Sequence, residues 1–234
     1  MSKHLLIVST STVYGKGYLG YMEEEIKNFF GENKNIVFIP YARPGGISHD
    51  EYTEIARKKF EELGLSVKGI HEFENPKKAI AEADGFFTGG GNTYVLLKQL
   101  YENGLIEPLR NAVENGKPYM GTSAGSNITG LSICTTNDMP IVYPPSFKAL
   151  QLVPFNINPH YLDPNPDSKH MGETRETRIK EFHFFNDQPV VGIREGSWLE
   201  VMGEDVTLCG ELSARIFEQG KEPYEVPTGS KIKF

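Results

Sequence analysis

The chain has 234 residues, 31 of them acidic against 24 basic, for a formal net charge of −7. That length is enough to bury a substantial core. The acidic balance speaks against nucleic acid as a partner, because affinity for phosphate backbones rests on clustered Lys and Arg.

In chain order, residues 4–9 form an apolar run that predicts a buried strand. Leu19, Met22, Ile26, Phe29 and Phe30 recur at helical spacing over 19–30, and residues 36–41 predict a second strand. Ser48 and Glu51 pair as a capping box ahead of a helix bearing Tyr52, Ile55, Ala56, Phe60 and Leu63, which Gly64 ends. A strand over 66–73 follows, then a short helix opened by Asn75-Pro76, then a strand over 84–88 that runs into Gly89-Gly90-Gly91-Asn92. Helices over 93–103 and 106–115 precede a strand that leads to Ser123. Residues 131–170, rich in Pro, Asn and Asp, predict loops around short strands, and 173–184 predict another helix. Short strands over 190–194, 197–202, 206–209 and 213–217 predict an antiparallel edge near the C-terminus. Strands that alternate with helices and are apolar on both faces predict an α/β fold, its mainly parallel sheet covered by helices on both faces. No linker or repeat interrupts residues 1–234, which reads as a single domain.

The short N-terminal apolar run does not match a signal peptide, and no stretch of about 18 apolar residues is present for a membrane span. Cys134 and Cys209 lie outside any C-x-x-C pattern and read as buried, reduced thiols. A cytoplasmic protein without a membrane partner is expected.

Gly121-Thr122-Ser123-Ala124-Gly125 matches the nucleophile-elbow pattern G-x-S-x-G, between a strand and a small-residue helix. Such a turn lifts the serine Oγ clear of the backbone and leaves the N–H of Ala124 free for an oxyanion. Open α/β sheets bind ligands at the carboxyl ends of their strands, where Gly90, Gly91 and Asn92 also fall. Consecutive glycines there let N–H groups approach negative charge, although a plain turn with Asn92 as helix cap explains them too. A serine nucleophile needs a base. His160, in Asn156-Ile157-Asn158-Pro159-His160-Tyr161, is preferred over His170 because it follows an apolar run in a defined loop. The base needs an orienting carboxylate. Asp138 and Glu195 both remain candidates; Glu195 is the one that ends a predicted sheet strand. No H-E-x-x-H or clustered Cys/His set supports a metal. Gly15-Lys16-Gly17-Tyr18-Leu19-Gly20 matches G-x-G-x-x-G, but it stands six residues from its strand, and no acidic residue ends the second strand. A nucleotide or anion binder built on that segment is the alternative outside enzyme chemistry.

Five blocks occur in order: Gly89 to Thr93, Gly121 to Gly125, Thr135 to Val142, Ile157 to His160, and Gly172 to Arg175. Together they resemble the peptidase E family of bacterial α-aspartyl dipeptidases. The resemblance implies a fold related to class I glutamine amidotransferases, with serine in place of their cysteine, and no cofactor. It implies hydrolysis of dipeptides and some short peptides with N-terminal aspartate by a monomer or homodimer. By position it implies Ser123 as nucleophile, His160 as base, Glu195 or Asp138 as acid, and Arg175 as the residue that recognises the substrate aspartate. A cyanophycinase-like β-aspartyl peptidase is the nearest alternative.

Overall fold

Five apolar segments lie side by side in parallel at the centre of the molecule: β1 (His4–Val8), β2 (Asn35–Ile39), β3 (Ser66–Gly69), β4 (Gly85–Thr88) and β5 (Tyr119–Thr122). With β8 (Ser197–Met202) and β9 (Asp205–Gly210) they make a seven-stranded sheet ordered β3-β2-β4-β5-β1-β8-β9. The β1–β8 and β8–β9 pairings are antiparallel. The computed structural model describes residues 2–33, 35–165, 167, 169 and 171–234.

Neighbouring residues on each strand bury opposite faces. Leu6, Val8, Phe38, Phe87 and Met120 pack under α1 (Glu23–Phe30) and α2 (His49–Glu62). Leu5, Ile7, Val37, Ile39 and Phe86 pack under α3 (Pro76–Glu82), α4 (Thr93–Glu102) and α5 (Ile106–Glu114). Burial of each such large side chain contributes roughly 1.5–3 kcal/mol, so two covered faces explain why these strands read as continuous apolar runs. The expected capping box opens α2, with Glu51 N–H donating to Ser48 Oγ at 3.1 Å and Ser48 N–H donating to Glu51 at 2.7 Å. No helix among the described residues is long and apolar enough to cross a membrane.

Three expectations shift. Helix α1 starts at Glu23 rather than near Leu19. Leu19 is buried, but at φ 55 in a turn, and the three glutamates of the first turn face the positive end of the helix dipole. Strand β3 stops at Gly69, where the Glu72 carboxylate accepts the Gly69 N–H and closes a 3-10 turn over Ile70–Glu72. The C-terminal strands do not form one edge. β8 and β9 extend the large sheet, while β6 (Asn156–Pro159), β7 (Val190–Ile193), β10 (Ala214–Phe217) and β11 (Tyr224–Val226) form a second sheet ordered β11-β10-β7-β6. In that sheet β6 and β7 run parallel, with Pro159 opposite Ile193.

The two sheets meet at the end of β1. Ser9 N–H donates to Ser197 O at 3.2 Å, and Ser9 Oγ donates to Ile193 O at 2.8 Å. That junction brings the carboxyl ends of β4, β5, β6 and β7 to one place.

Candidate active site

Ser123 leaves β5 with φ 54 and ψ −110, a conformation costly for a residue with a Cβ. Its surroundings hold it there. Ser123 N–H donates to Val8 O at 3.1 Å, and Ser123 O accepts from Ser126 and Asn127 at the start of α6 (Ala124–Asn127). Ser126 Oγ bonds both Val8 O and Gly121 O, at 2.6 and 2.7 Å. The flanking glycines are dictated by contact: a Cβ on Gly121 would strike the Gly125 carbonyl, and one on Gly125 would strike the Thr88 carbonyl. Only a residue without a side chain lets the strand turn this sharply into the helix.

The half-buried Ser123 Oγ lies 2.9 Å from His160 Nε2, and His160 Nδ1 lies 2.7 Å from Glu195 Oε1. A carboxylate only accepts, so Nδ1 carries the proton and Nε2 is left to accept from the serine hydroxyl. His160 itself sits at φ 53, and its N–H donates to Ser9 Oγ at 2.9 Å. Two asparagines hold the strand before it. Asn137 Nδ2 donates to Pro159 O at 2.6 Å, and Asn158 Nδ2 donates to Asn137 Oδ1 at 2.7 Å. The Glu195 side chain is 55% exposed, so the relay opens to solvent at its acid end. Tyr21 borders that end. Its hydroxyl donates to Thr10 O at 2.6 Å, and burial followed by the charges of Glu195 and Glu25 pushes its pKa up, so it stays a neutral donor.

The glycine loop after β4 flanks the serine. A Cβ on Gly90 would lie 3.0 Å from Ser123 Cβ and 3.6 Å from Ser123 Oγ. Among the described residues, the N–H groups of Gly90, Gly91 and Ala124 donate to no protein acceptor. The unengaged N–H groups of Ala124, next in the chain, and of Gly90, which packs on Ser123, form a cradle suited to an oxyanion.

Asp138 and Asn92 lie apart from the relay. Asp138 Oδ2 accepts from Thr93 N and Thr93 Oγ1 at 2.7 and 2.6 Å and from Thr136 Oγ1 at 3.1 Å. Asn92 caps α4 through Val95 N–H, and its amide donates to Met139 O at 3.0 Å. Asp138 Oδ2 and the Asn92 amide are engaged in fixing the start of α4 and the glycine loop, and neither side chain bonds His160. His160 is therefore joined to Glu195 and not to Asp138. His170, the other histidine considered, lies outside the described residues.

Arg175 opens α7 (Arg175–Phe182), behind the Thr174 cap. The ion pairs of that helix belong to its neighbours: Arg178 holds Glu173 and Glu181, and Lys180 holds Glu176. Arg175 has no ion pair or hydrogen bond among the described residues, and it lines a cavity of about 470 Å³ with Thr136, Asn137 and Asn158. Through Asn137 that cavity borders the His160 strand.

The Gly15–Gly20 segment is not a dinucleotide turn. Nothing lies within 4 Å of a Cβ placed on Gly15 or Gly17, and the next helix begins only at Glu23. Sequence reasoning passed over Ser9, which pins His160 to β7, and the Asn137–Asn158 pair. The one available signal for Ser9 was its place at the end of the strand beside the elbow strand.

Residues 5–209 match the family model Peptidase family S51. Peptidase E of Streptomyces coelicolor is 49% identical over 229 residues, which cover 98% of this chain and 93% of that protein. A Drosophila melanogaster protein named Probable alpha-aspartyl dipeptidase is 46% identical over 220 residues, 93% of this chain and 90% of its own length. The crystal structure of a peptidase from an acI-B1 actinobacterium aligns with a TM-score of 0.75 at 18% identity, covering 100% of this chain and 98% of that one, and so has the same fold.

Proposed function

The chain belongs to peptidase family S51, and from that premise we propose that it is a serine-type dipeptidase that cuts after an N-terminal aspartate. That it is a peptidase follows from the family itself. The relay from Glu195 Oε1 through His160 to Ser123 Oγ, with steps of 2.7 and 2.9 Å, is the observation that carries the serine assignment.

In the proposed reaction His160 Nε2 takes the Ser123 proton as Oγ attacks the aspartyl carbonyl carbon. Glu195 keeps the imidazole in the Nδ1–H form and stabilises the imidazolium. The carbonyl oxygen, now an anion, meets the N–H of Ala124 and one from Gly90 or Gly91. One such donor is worth about 2.7–4 kcal/mol in a pre-organised site. Collapse expels the amine of the second residue, which leaves with the proton from His160, and an aspartyl ester remains on Ser123. His160 then deprotonates a water that attacks the ester, and aspartate departs as Ser123 regains its proton.

Arg175 is assigned to the substrate β-carboxylate. An acidic protein needs a local cation to accept an acidic peptide, and a guanidinium fork matches a carboxylate better than an ammonium does. Its lack of a partner among the described residues supports this role. Contrary to the expected burial, Cys134 is exposed and Cys209 half-buried; both are free thiols, which supports a reducing, cytoplasmic setting.

A hydrolysis panel of Asp-Leu, β-Asp-Leu, Glu-Leu and Asn-Leu, run without added metal and again with chelator, tests the proposal. Asp-Leu is expected to be cut fastest under both conditions. Preference for β-Asp-Leu would move the enzyme to the cyanophycinase-like class, and loss of activity in chelator would contradict the serine mechanism.

A further inference from the structure

Arginine is a residue that this fold otherwise ties down. Arg57, Arg110, Arg178, Arg194 and Arg215 each hold a carboxylate. The remaining two, Arg43 and Arg175, hold none among the described residues. Arg175 has been given a role above. Arg43 has not.

Arg43 stands just past β2, at the same carboxyl edge of the sheet as Ser123. Its guanidinium carbon lies 4.7 Å from the centre of the Tyr52 ring. The Tyr52 hydroxyl donates to Gly90 O at 3.2 Å, and Gly90 packs directly on Ser123. The preceding residue, Ala42, fastens the same loop by accepting the Asn92 N–H at 2.7 Å. Arg43 is therefore one side chain and one loop removed from the nucleophile.

The state of its donors is informative. Arg43 Nε is buried with no acceptor. The Tyr18 hydroxyl is buried beside the same Tyr52 and within the field of Arg43. An arginine serving only to stack on an aromatic ring can leave its N–H groups in water. Here Nε is enclosed with no acceptor among the described residues, so the charge of Arg43 is not neutralised from within the fold.

We propose that Arg43 receives a second substrate carboxylate, the C-terminal one of the dipeptide, while Arg175 holds the β-carboxylate. The proposal rests on the dipeptidase reading. An Asp-Xaa dipeptide carries two carboxylates within a few bonds of the scissile amide, and two arginines have no counter-charge among the described residues. Arg175 is reached through Asn137 and Asn158, and Arg43 through Tyr52 and the glycine loop. Arg43 thereby makes the enzyme a reader of peptide length, because only a dipeptide puts its terminal carboxylate so close to the bond that is cut.

The test compares wild type, Arg43→Met and Arg43→Lys on Asp-Leu, Asp-Leu-amide and Asn-Leu, with a thermal melt for each protein. Wild type must first turn over Asp-Leu; failure there contradicts the dipeptidase reading itself. With that in hand, Arg43→Met is expected to raise KM for Asp-Leu by roughly tenfold to a hundredfold, the scale of one charged hydrogen-bonded contact. Its kcat should change little. On Asp-Leu-amide, which lacks the terminal charge, wild type and Arg43→Met should have the same KM, and Arg43→Lys should recover part of the loss on Asp-Leu. If the loss disappears on Asn-Leu instead, Arg43 reads the β-carboxylate and the C-terminal assignment is overturned. Equal losses on all three peptides, or none on any, overturn a carboxylate role altogether.

Discussion

His160 Nδ1 and Glu195 Oε1 meet at 2.7 Å because β6 and β7 pair in parallel with Pro159 opposite Ile193. That register puts the imidazole one residue past the end of one strand and the carboxylate two residues past the end of the next. Neither strand belongs to the sheet that carries Ser123. The link between the sheets is Ser9, whose Oγ accepts the His160 N–H and donates to Ile193 O. His160 and Glu195 are thus held as one unit and aimed at Ser123, which follows a strand of a different sheet.

Glu195→Gln and Asp138→Asn separate the two carboxylates. Glu195→Gln should lower kcat by roughly 10²- to 10⁴-fold with little change in stability, because the amide cannot fix the productive tautomer or offset the imidazolium. Asp138→Asn should act mainly on stability, losing about 1–2 kcal/mol with the cap on Thr93. Its kcat should fall much less. Steady-state kinetics and thermal melts on both variants check this, and a larger kcat loss in Asp138→Asn would reverse the assignment.

Arg175→Met should weaken selection for aspartate. The unpaired guanidinium is assigned to the β-carboxylate, and a site built to bond a polar group discriminates far more strongly than one methylene allows. The kcat/KM for Asp-Leu should fall by about 10²-fold or more, while the weak activity on Asn-Leu should change little. An Asp/Asn preference that survives in Arg175→Met would mean that another residue reads the aspartate.

Acid stability should depend on the cluster next to the relay. Burial by itself would raise the Glu225 pKa, but hydrogen bonds from Arg194, Ser213 and Arg215 bring it down to about 2. Asp163 is lowered as well, first by its hydrogen bond from Arg194. A carboxylate whose folded pKa lies below its unfolded value of about 4.3 stabilises the fold above that value. The stabilisation is lost as pH falls from there towards 2. Glu225→Gln should therefore have a lower Tm at pH 7 and a flatter Tm profile between about pH 4.5 and 2. Melts of both proteins across that range check it, and parallel profiles would exclude Glu225 as a source of acid sensitivity.

The parts of the site legible in the sequence are the local ones. Ser123 and the glycine loop announce themselves because a strand, a tight turn and a helix are consecutive in the chain. The two-faced burial of β1, β2 and β4 is legible for the same reason, as a run of apolar residues. The choice between Asp138 and Glu195 is not local: it depends on which strands pair across about 30 residues of intervening chain, and both carboxylates sit in plausible loops. The division of the C-terminal strands into two sheets has the same cause, since short strands such as Tyr224–Val226 carry no mark of their partner. Ser9 is one serine among others until β1 and β7 come together. Arg43 reads as a loop residue until its Nε is found buried without an acceptor.

The most direct test of the account is to trap the ester. Wild type is quenched in acid during turnover of an aspartyl p-nitroanilide, digested and mapped by mass spectrometry, with Ser123→Ala treated alike. The account predicts a single aspartyl adduct on the peptide containing Ser123, absent from Ser123→Ala, whose kcat falls by roughly 10⁴-fold or more. An adduct on another residue, or near-normal turnover by Ser123→Ala, would contradict it.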